Sequence, residues 1–81
     1  MPHPVNKKLL KQFGDRIRSL RTARGLTQEK LAELTGFHRT YIGMIERGER
    51  NLSIANIGVF AKLFDLSLSE LFLFEDKRGG R

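Results

Sequence analysis

Three glycines, at positions 25, 36 and 48, cut the apolar periodicity of this chain into short pieces. Each follows the end of a helical period, where glycine can take the left-handed conformation that closes a last turn. Ahead of Gly25, Leu10, Phe13, Ile17 and Leu20 recur at spacings of three and four on one face, with Lys11, Arg18 and Arg24 turned outward. Between Gly25 and Gly36, Thr27 is an N-cap, Gln28 and Glu29 fill the first turn, and Leu31, Ala32 and Leu34 make a short apolar stripe. A third helix is expected from about Arg39 to Arg47, with Ile42 and Ile45 inward and Gly48 as its stop. Two such short helices joined by GFH form an angular pair rather than a bundle hairpin.

The remainder continues in helices. Ser53 caps a fourth, in which Ile54, Ile57, Val59, Phe60, Ala61, Leu63 and Phe64 cover more than one face. Asp65 stands where a glycine-like turn residue is needed, a conformation Asp tolerates better than most. Ser67 and Glu70 have capping-box spacing for a fifth helix that carries Leu68, Leu71 and Phe72 into the run LFLF. Five short helices without a strand signal predict an all-α domain over residues 7–76. Residues 1–6, MPHPVN, read as a flexible N-terminal arm, and residues 77–81 as a disordered tail.

A single domain of 81 residues buries only about 60% of the surface its unfolded chain exposes, which leaves no room for a deep catalytic cleft. There is no cysteine, so neither a disulfide framework nor a thiolate metal cage is available, as suits a cytoplasmic protein. No apolar run approaches the roughly 20 residues of a membrane span. Glu46 and Glu49 lie three apart, His3 and His38 are isolated, and no HExxH, P-loop or nucleophile elbow occurs. An enzyme, a metal, a cofactor and a small-molecule effector site are therefore not expected. The net charge of +6 is unevenly spread: residues 1–26 hold seven basic groups against one acidic, residues 27–52 balance, and residues 53–76 are net acidic. One electropositive end suits a polyanion approached from one side.

The stretch TQEKLAELTGFHRTYIGMIERG reads as helix, glycine-containing turn, helix, with its interior held by Leu31, Ala32, Leu34, Ile42 and Ile45. Over about residues 13–72 the sequence resembles the phage-repressor and Cro-like (XRE) family. The resemblance rests on Gln28 opening the second helix, Ala32 and Gly36 at the turn, Ile42 and Glu46 in the third helix, and NLS before the fourth. RTYI, IERG and RNLSI look most like the small controller proteins of restriction-modification systems. This implies a five-helix, lambda repressor-like fold and a transcriptional regulator whose third helix enters the DNA major groove.

On that reading, the base-reading candidates are His38, Arg39, Thr40 and Gly43, opposite Ile42 and Ile45, with Met44 one step round. Arg39 has the planar fork that matches guanine O6 and N7, Thr40 can meet a thymine methyl, and Gly43 leaves room for close approach. For Arg39 and Thr40 the plainer alternative is a solvated first turn. His38 is a poor cap by type, so either the helix frays or the ring points at DNA. Phosphate contacts are expected from Thr27, Gln28, Tyr41, Arg47, Arg50, Asn51 and Ser53 together with helix N-termini, although Tyr41 could equally be half-buried against the second helix. The resemblance also implies an internal ion pair between Arg21 and Glu46, without which Glu46 is simply a surface carboxylate.

One such module reads few base pairs, so a homodimer on an inverted-repeat operator is expected, with Leu68, Phe72, Phe74, Val59 and Leu63 as interface candidates. The expected partners are double-stranded DNA, a second copy of the chain and RNA polymerase. The competing reading is an antitoxin-like or other protein-interaction module on the same fold. Salt-insensitive binding to a protein would favour that rival, whereas salt-steep binding to DNA with a sequence preference favours the regulator.

Overall fold

Asn6 begins α1 (Lys7–Ala23) by accepting a hydrogen bond from the Leu9 amide at 2.9 Å in a computed structural model of the protein, which describes residues 6–74. Asn6, the last residue of the expected arm, thus caps the helix from just outside it. The rest of that arm, and the expected tail at 77–81, lie outside the described residues. The chain continues through α2 (Gln28–Thr35), α3 (Arg39–Glu46), α4 (Ile54–Leu63) and α5 (Leu68–Leu71), an all-helical order among the described residues.

Local chemistry sets the boundaries. Thr27 Oγ1 accepts from the Lys30 amide at 3.0 Å, Ser53 Oγ from the Asn56 amide at 3.1 Å, and Ser67 Oγ from the Glu70 amide at 3.1 Å. The Glu70 carboxylate completes the last box by accepting from the Ser67 amide, and that bond holds its pKa below the ordinary carboxylate value. Gly36 leaves α2 at φ +82°, and Asp65 takes φ +57° after α4. The fifth helix is only four residues long: Phe72 is its C-cap, and Leu73 and Phe74 have left it.

Phe13 and Ile17 of α1, Leu31 and Ala32 of α2, Ile42 and Ile45 of α3, Phe60, Ala61 and Phe64 around α4, and Leu71 of α5 form one core. Two apolar expectations fail. Leu34 is 48% exposed, because it lies about 110° round the two-turn helix from the midpoint of Leu31 and Ala32. Ile54, in the first turn of α4, is 71% exposed.

Arg24 does more than the sequence suggests. It is exposed, as expected, but is not simply solvated: its guanidinium lies 4.9 Å over the Phe64 ring and donates to the Phe64 carbonyl at 2.8 Å, closing the end of α4. Arg16 acts similarly at α5, donating to the Leu71 and Glu70 carbonyls at 3.1 and 2.7 Å. Two of the cations counted as the basic end of the chain are therefore helix caps.

The junction of α1 with the end of α3 is closer than periodicity alone reveals. A Cβ on Gly14 would collide with the Ile45 carbonyl oxygen and sit 2.8 Å from that of Glu46, both of them backbone atoms. Gly14→Val should lower stability by about 1–3 kcal/mol or more, since the backbone cannot yield as a side chain can. Urea denaturation checks this at matched protein concentration; an unchanged midpoint would mean that α1 can move off α3 at little cost.

Candidate nucleic-acid interface

Ile42, Ile45 and Glu46 point inward from α3, leaving the other side of an eight-residue helix to solvent. Glu46 is the only charged residue of the described chain that is fully buried, at 5% exposure. A carboxylate there is tolerable only with its lone pairs occupied. Arg21 of α1 donates Nε to Oε2 at 2.6 Å and Nη2 to Oε1 at 3.0 Å, and Gln28 of α2 adds Nε2 to Oε1 at 3.0 Å. The third nitrogen of Arg21, Nη1, donates to the Leu26 carbonyl at 2.8 Å. One carboxylate thus joins three helices and the turn between α1 and α2, and no buried side-chain nitrogen or oxygen among the described residues lacks a partner.

The leading edge of α3 is open. Arg39 is exposed, with 62% of its side chain accessible, and its Nε stands 4.0 Å from a Glu29 oxygen on α2. Thr40 is exposed and Met44 half-buried. His38 is exposed too, yet it caps: the Thr40 amide donates to its Nδ1 at 3.1 Å. Of the two alternatives, fraying is not required, because one nitrogen of the imidazole takes the place of the usual hydroxyl or carboxylate while the ring stays exposed.

Gly43 is also corrected. It is buried and not open: Arg47 Nη1 would lie 3.1 Å and Gln28 Oε1 3.6 Å from an added Cβ, so these side chains cover it. Its small size serves that packing. Gln28, expected to be free for phosphate, spends its amide nitrogen on Glu46.

Of the remaining phosphate candidates, Thr27 and Ser53 are occupied as caps, and Asn51 is exposed. Tyr41 is half-buried, edge-on to Phe37 at 5.1 Å between centroids, and its Oη accepts from Asn56 Nδ2 at 2.9 Å. The hydroxyl proton remains available for donation outward. Arg50 lies over the same ring at 5.2 Å. Arg47 is exposed but engaged by Glu49, with Nε to Oε2 at 3.0 Å and Nη2 to Oε1 at 3.1 Å. That contact holds the Glu49 carboxyl below its ordinary pKa and raises that of Arg47.

Sequence reasoning missed Asn56 and Glu49. The R-x-E spacing at 47–49 was a usable signal for the second, whereas nothing local announces that Asn56 meets a tyrosine fifteen residues earlier. Lys7, Lys8 and Arg18 are exposed on α1 with no carboxylate at ion-pair distance among the described residues.

The five interface candidates do not form a single stripe. Val59 and Leu63 border a shallow depression with Leu34 and Lys62. Phe72 instead lies with Leu9, Leu10, Phe13, Leu52 and Ile57, its ring 5.4 Å from that of Phe13. Leu68 is exposed, whereas Phe74 packs against the core. Leu73 and Ile54 are more exposed than any of the five. Among the described residues no group of His, Asp and Glu could hold a metal ion, and no helix is long and apolar enough to cross a membrane.

A helix-turn-helix family model matches residues 17–71. The control protein C.SmaI of Serratia marcescens is 44% identical over 59 residues, which span 73% of this chain and 70% of that protein. The crystal structure of the restriction-modification controller protein C.AhdI from Aeromonas hydrophila superposes with a TM-score of 0.73 at 52% identity, covering 78% of this chain and 96% of its own. The controller protein C.Esp1396I, solved as a tetramer in complex with its natural 35 base-pair operator, is similar at 38% identity with a TM-score of 0.71, over 79% of this chain and 84% of that one.

Breaking the three-helix network from one side should cost more than removing it altogether. Arg21→Ala leaves a buried carboxylate with Gln28 alone and should lose about 3–5 kcal/mol of stability. Arg21→Met combined with Glu46→Leu should recover much of that. A double-mutant cycle by urea denaturation measures the coupling, and a value near zero would mean the pair contributes nothing.

Proposed function

The chain belongs to the phage-repressor and Cro-like (XRE-type) helix-turn-helix family of DNA-binding regulators, and on that premise we propose that it is a restriction-modification controller that binds an inverted-repeat operator as a homodimer. The observation that carries this reading is the division of α3: two isoleucines and a bonded Glu46 fix it from behind, while Arg39 and Thr40 stand exposed at its leading end. A helix so held can enter a major groove with its N-terminal residues toward base edges. Arg39 reads guanine, Thr40 meets thymine, and Met44 lies along the groove wall.

Positioning falls to groups flanking the helix. The Tyr41 hydroxyl, oriented by Asn56, donates to a phosphate, and Arg47 and Arg50 supply charge, with Asn51 and the N-termini of α2 and α4 beside them. Lys7, Lys8 and Arg18 add a long-range field without base contact. Dimerisation uses the apolar surface around α5, with Leu68 and Phe72 in the contact and the more exposed Leu73 joining them, while Val59 and Leu63 border a different depression. Two copies then span half-sites about 34 Å apart. Such a complex acts in the cytoplasm beside a promoter, where RNA polymerase is the second macromolecule within reach.

Arg39→Ala should weaken binding to the selected operator by about 1–3 kcal/mol and blur preference at one position per half-site. Arg47→Ala should instead weaken all duplexes together and flatten the salt dependence. Titrations of both variants against a panel of operators distinguish the roles, and identical behaviour would refute the division into readers and positioners. Glu49→Gln, by releasing Arg47, should tighten binding to every duplex at low salt; weaker binding would make the Arg47–Glu49 pair part of the docking geometry. Sedimentation that finds only monomers at micromolar concentration with operator present would overturn the dimer.

A further inference from the structure

His38 offers DNA something more definite than a polar ring. The Thr40 amide donates to its Nδ1 at 3.1 Å. A backbone N–H can only donate, so the nitrogen facing it carries a lone pair and no hydrogen. A neutral imidazole then holds its single hydrogen on Nε2. That nitrogen lies across the ring from the capped amide, on an exposed side chain, and no described residue bonds to it.

Resting on the DNA-reading role given above, we infer that capping of α3 fixes His38 in the Nε2–H tautomer, so that it presents DNA with one hydrogen-bond donor and no acceptor. An aspartate at this cap would satisfy the same amide and offer no donor, and a serine or threonine hydroxyl would keep its O–H close to the backbone, short of the reach of the imidazole Nε2. The chemical class of its partner follows. Guanine N7 and O6, adenine N7, thymine O4 and phosphate oxygens all accept, whereas the cytosine amino group would set donor against donor. Arg39, next in the chain, is also donor-only. The leading end of α3 therefore opens with two donors side by side, and Thr40 is the first residue there able to accept. This ordering favours acceptor-rich base edges at the start of each half-site.

Two measurements on the full chain test the assignment. Nitrogen-15 spectra of the histidine rings, recorded well above the ordinary histidine pKa of about 6.5, should place Nδ1 of His38 in the unprotonated range and Nε2 in the protonated range, with His3 identified by its persistence in His38→Ser. A hydrogen on Nδ1 would overturn the inference without any reference to DNA. Operator selection and titration with His38→Ser, which keeps a capping oxygen, form the second measurement. The wild type should lose about five- to tenfold in affinity on this substitution.

If the acceptor is a base, the loss concentrates at one half-site position, and it is reproduced for the wild type by 7-deazaguanine or 7-deazaadenine there when the partner is a purine N7, or by 2-aminopurine or 5-methyl-2-pyrimidinone when it is guanine O6 or thymine O4. If it is a phosphate, the loss is equal across sequences and is reproduced by a single neutral methylphosphonate. Unchanged affinity for every duplex in His38→Ser, with Arg39→Ala still damaging, would refute the inference while leaving the regulator intact. Absence of duplex binding by the wild type itself would instead remove the reading beneath it.

Discussion

The Glu46 carboxylate is the point on which the recognition surface depends. Burying a charge is costly unless its lone pairs are filled, and here a forked Arg21 and the Gln28 amide fill them from two other helices. A short helix such as α3, with eight residues, has little intrinsic stability. Its direction is set by what holds its inner face: Ile42 and Ile45 through burial, and Glu46 through bonds that have length and angle. Hydrophobic contact alone would allow α3 to slide or roll. The polar network restricts that freedom and so relates the exposed Arg39 edge to the rest of the domain.

The same network alters the electrostatic account. A count of charges makes the first 26 residues strongly basic, yet Arg16, Arg21 and Arg24 are directed at carbonyls and at Glu46 inside the fold. What remains for a polyanion is narrower, comprising Lys7, Lys8 and Arg18 on α1 and the cations around α3. Even there Arg47 is shared with Glu49, and Glu29 stands near Arg39. A controller that must find one operator and leave others benefits from cations already occupied, because nonspecific attraction grows with every free one.

Much of this was legible because helix boundaries are local. Thr27, Ser53, Ser67 with Glu70, Gly36 and Asp65 act on amides or carbonyls within a few residues, so their chemistry is written in adjacent letters. Family resemblance supplied the Arg21–Glu46 contact, which no periodicity could. Long-range consequences were not readable. Gly14 and Gly43 look like generic small residues until the Ile45 carbonyl and the Arg47 side chain are seen against them. Arg24 looks like a solvated cation until α4 ends beneath it. His38 was misjudged for a different reason: its capping ability depends on which ring nitrogen turns inward, a choice made by geometry and not by residue type.

The central claim, that the leading end of α3 sits in a major groove, is tested most directly by dimethyl sulfate interference on the selected operator. Methyl groups at guanine N7 lie in the major groove, while those at adenine N3 lie in the minor groove. The account predicts interference at guanine N7 in two clusters about one helical turn apart, with adenine N3 methylation between them tolerated. Interference confined to adenine N3, or none at either base, would contradict it.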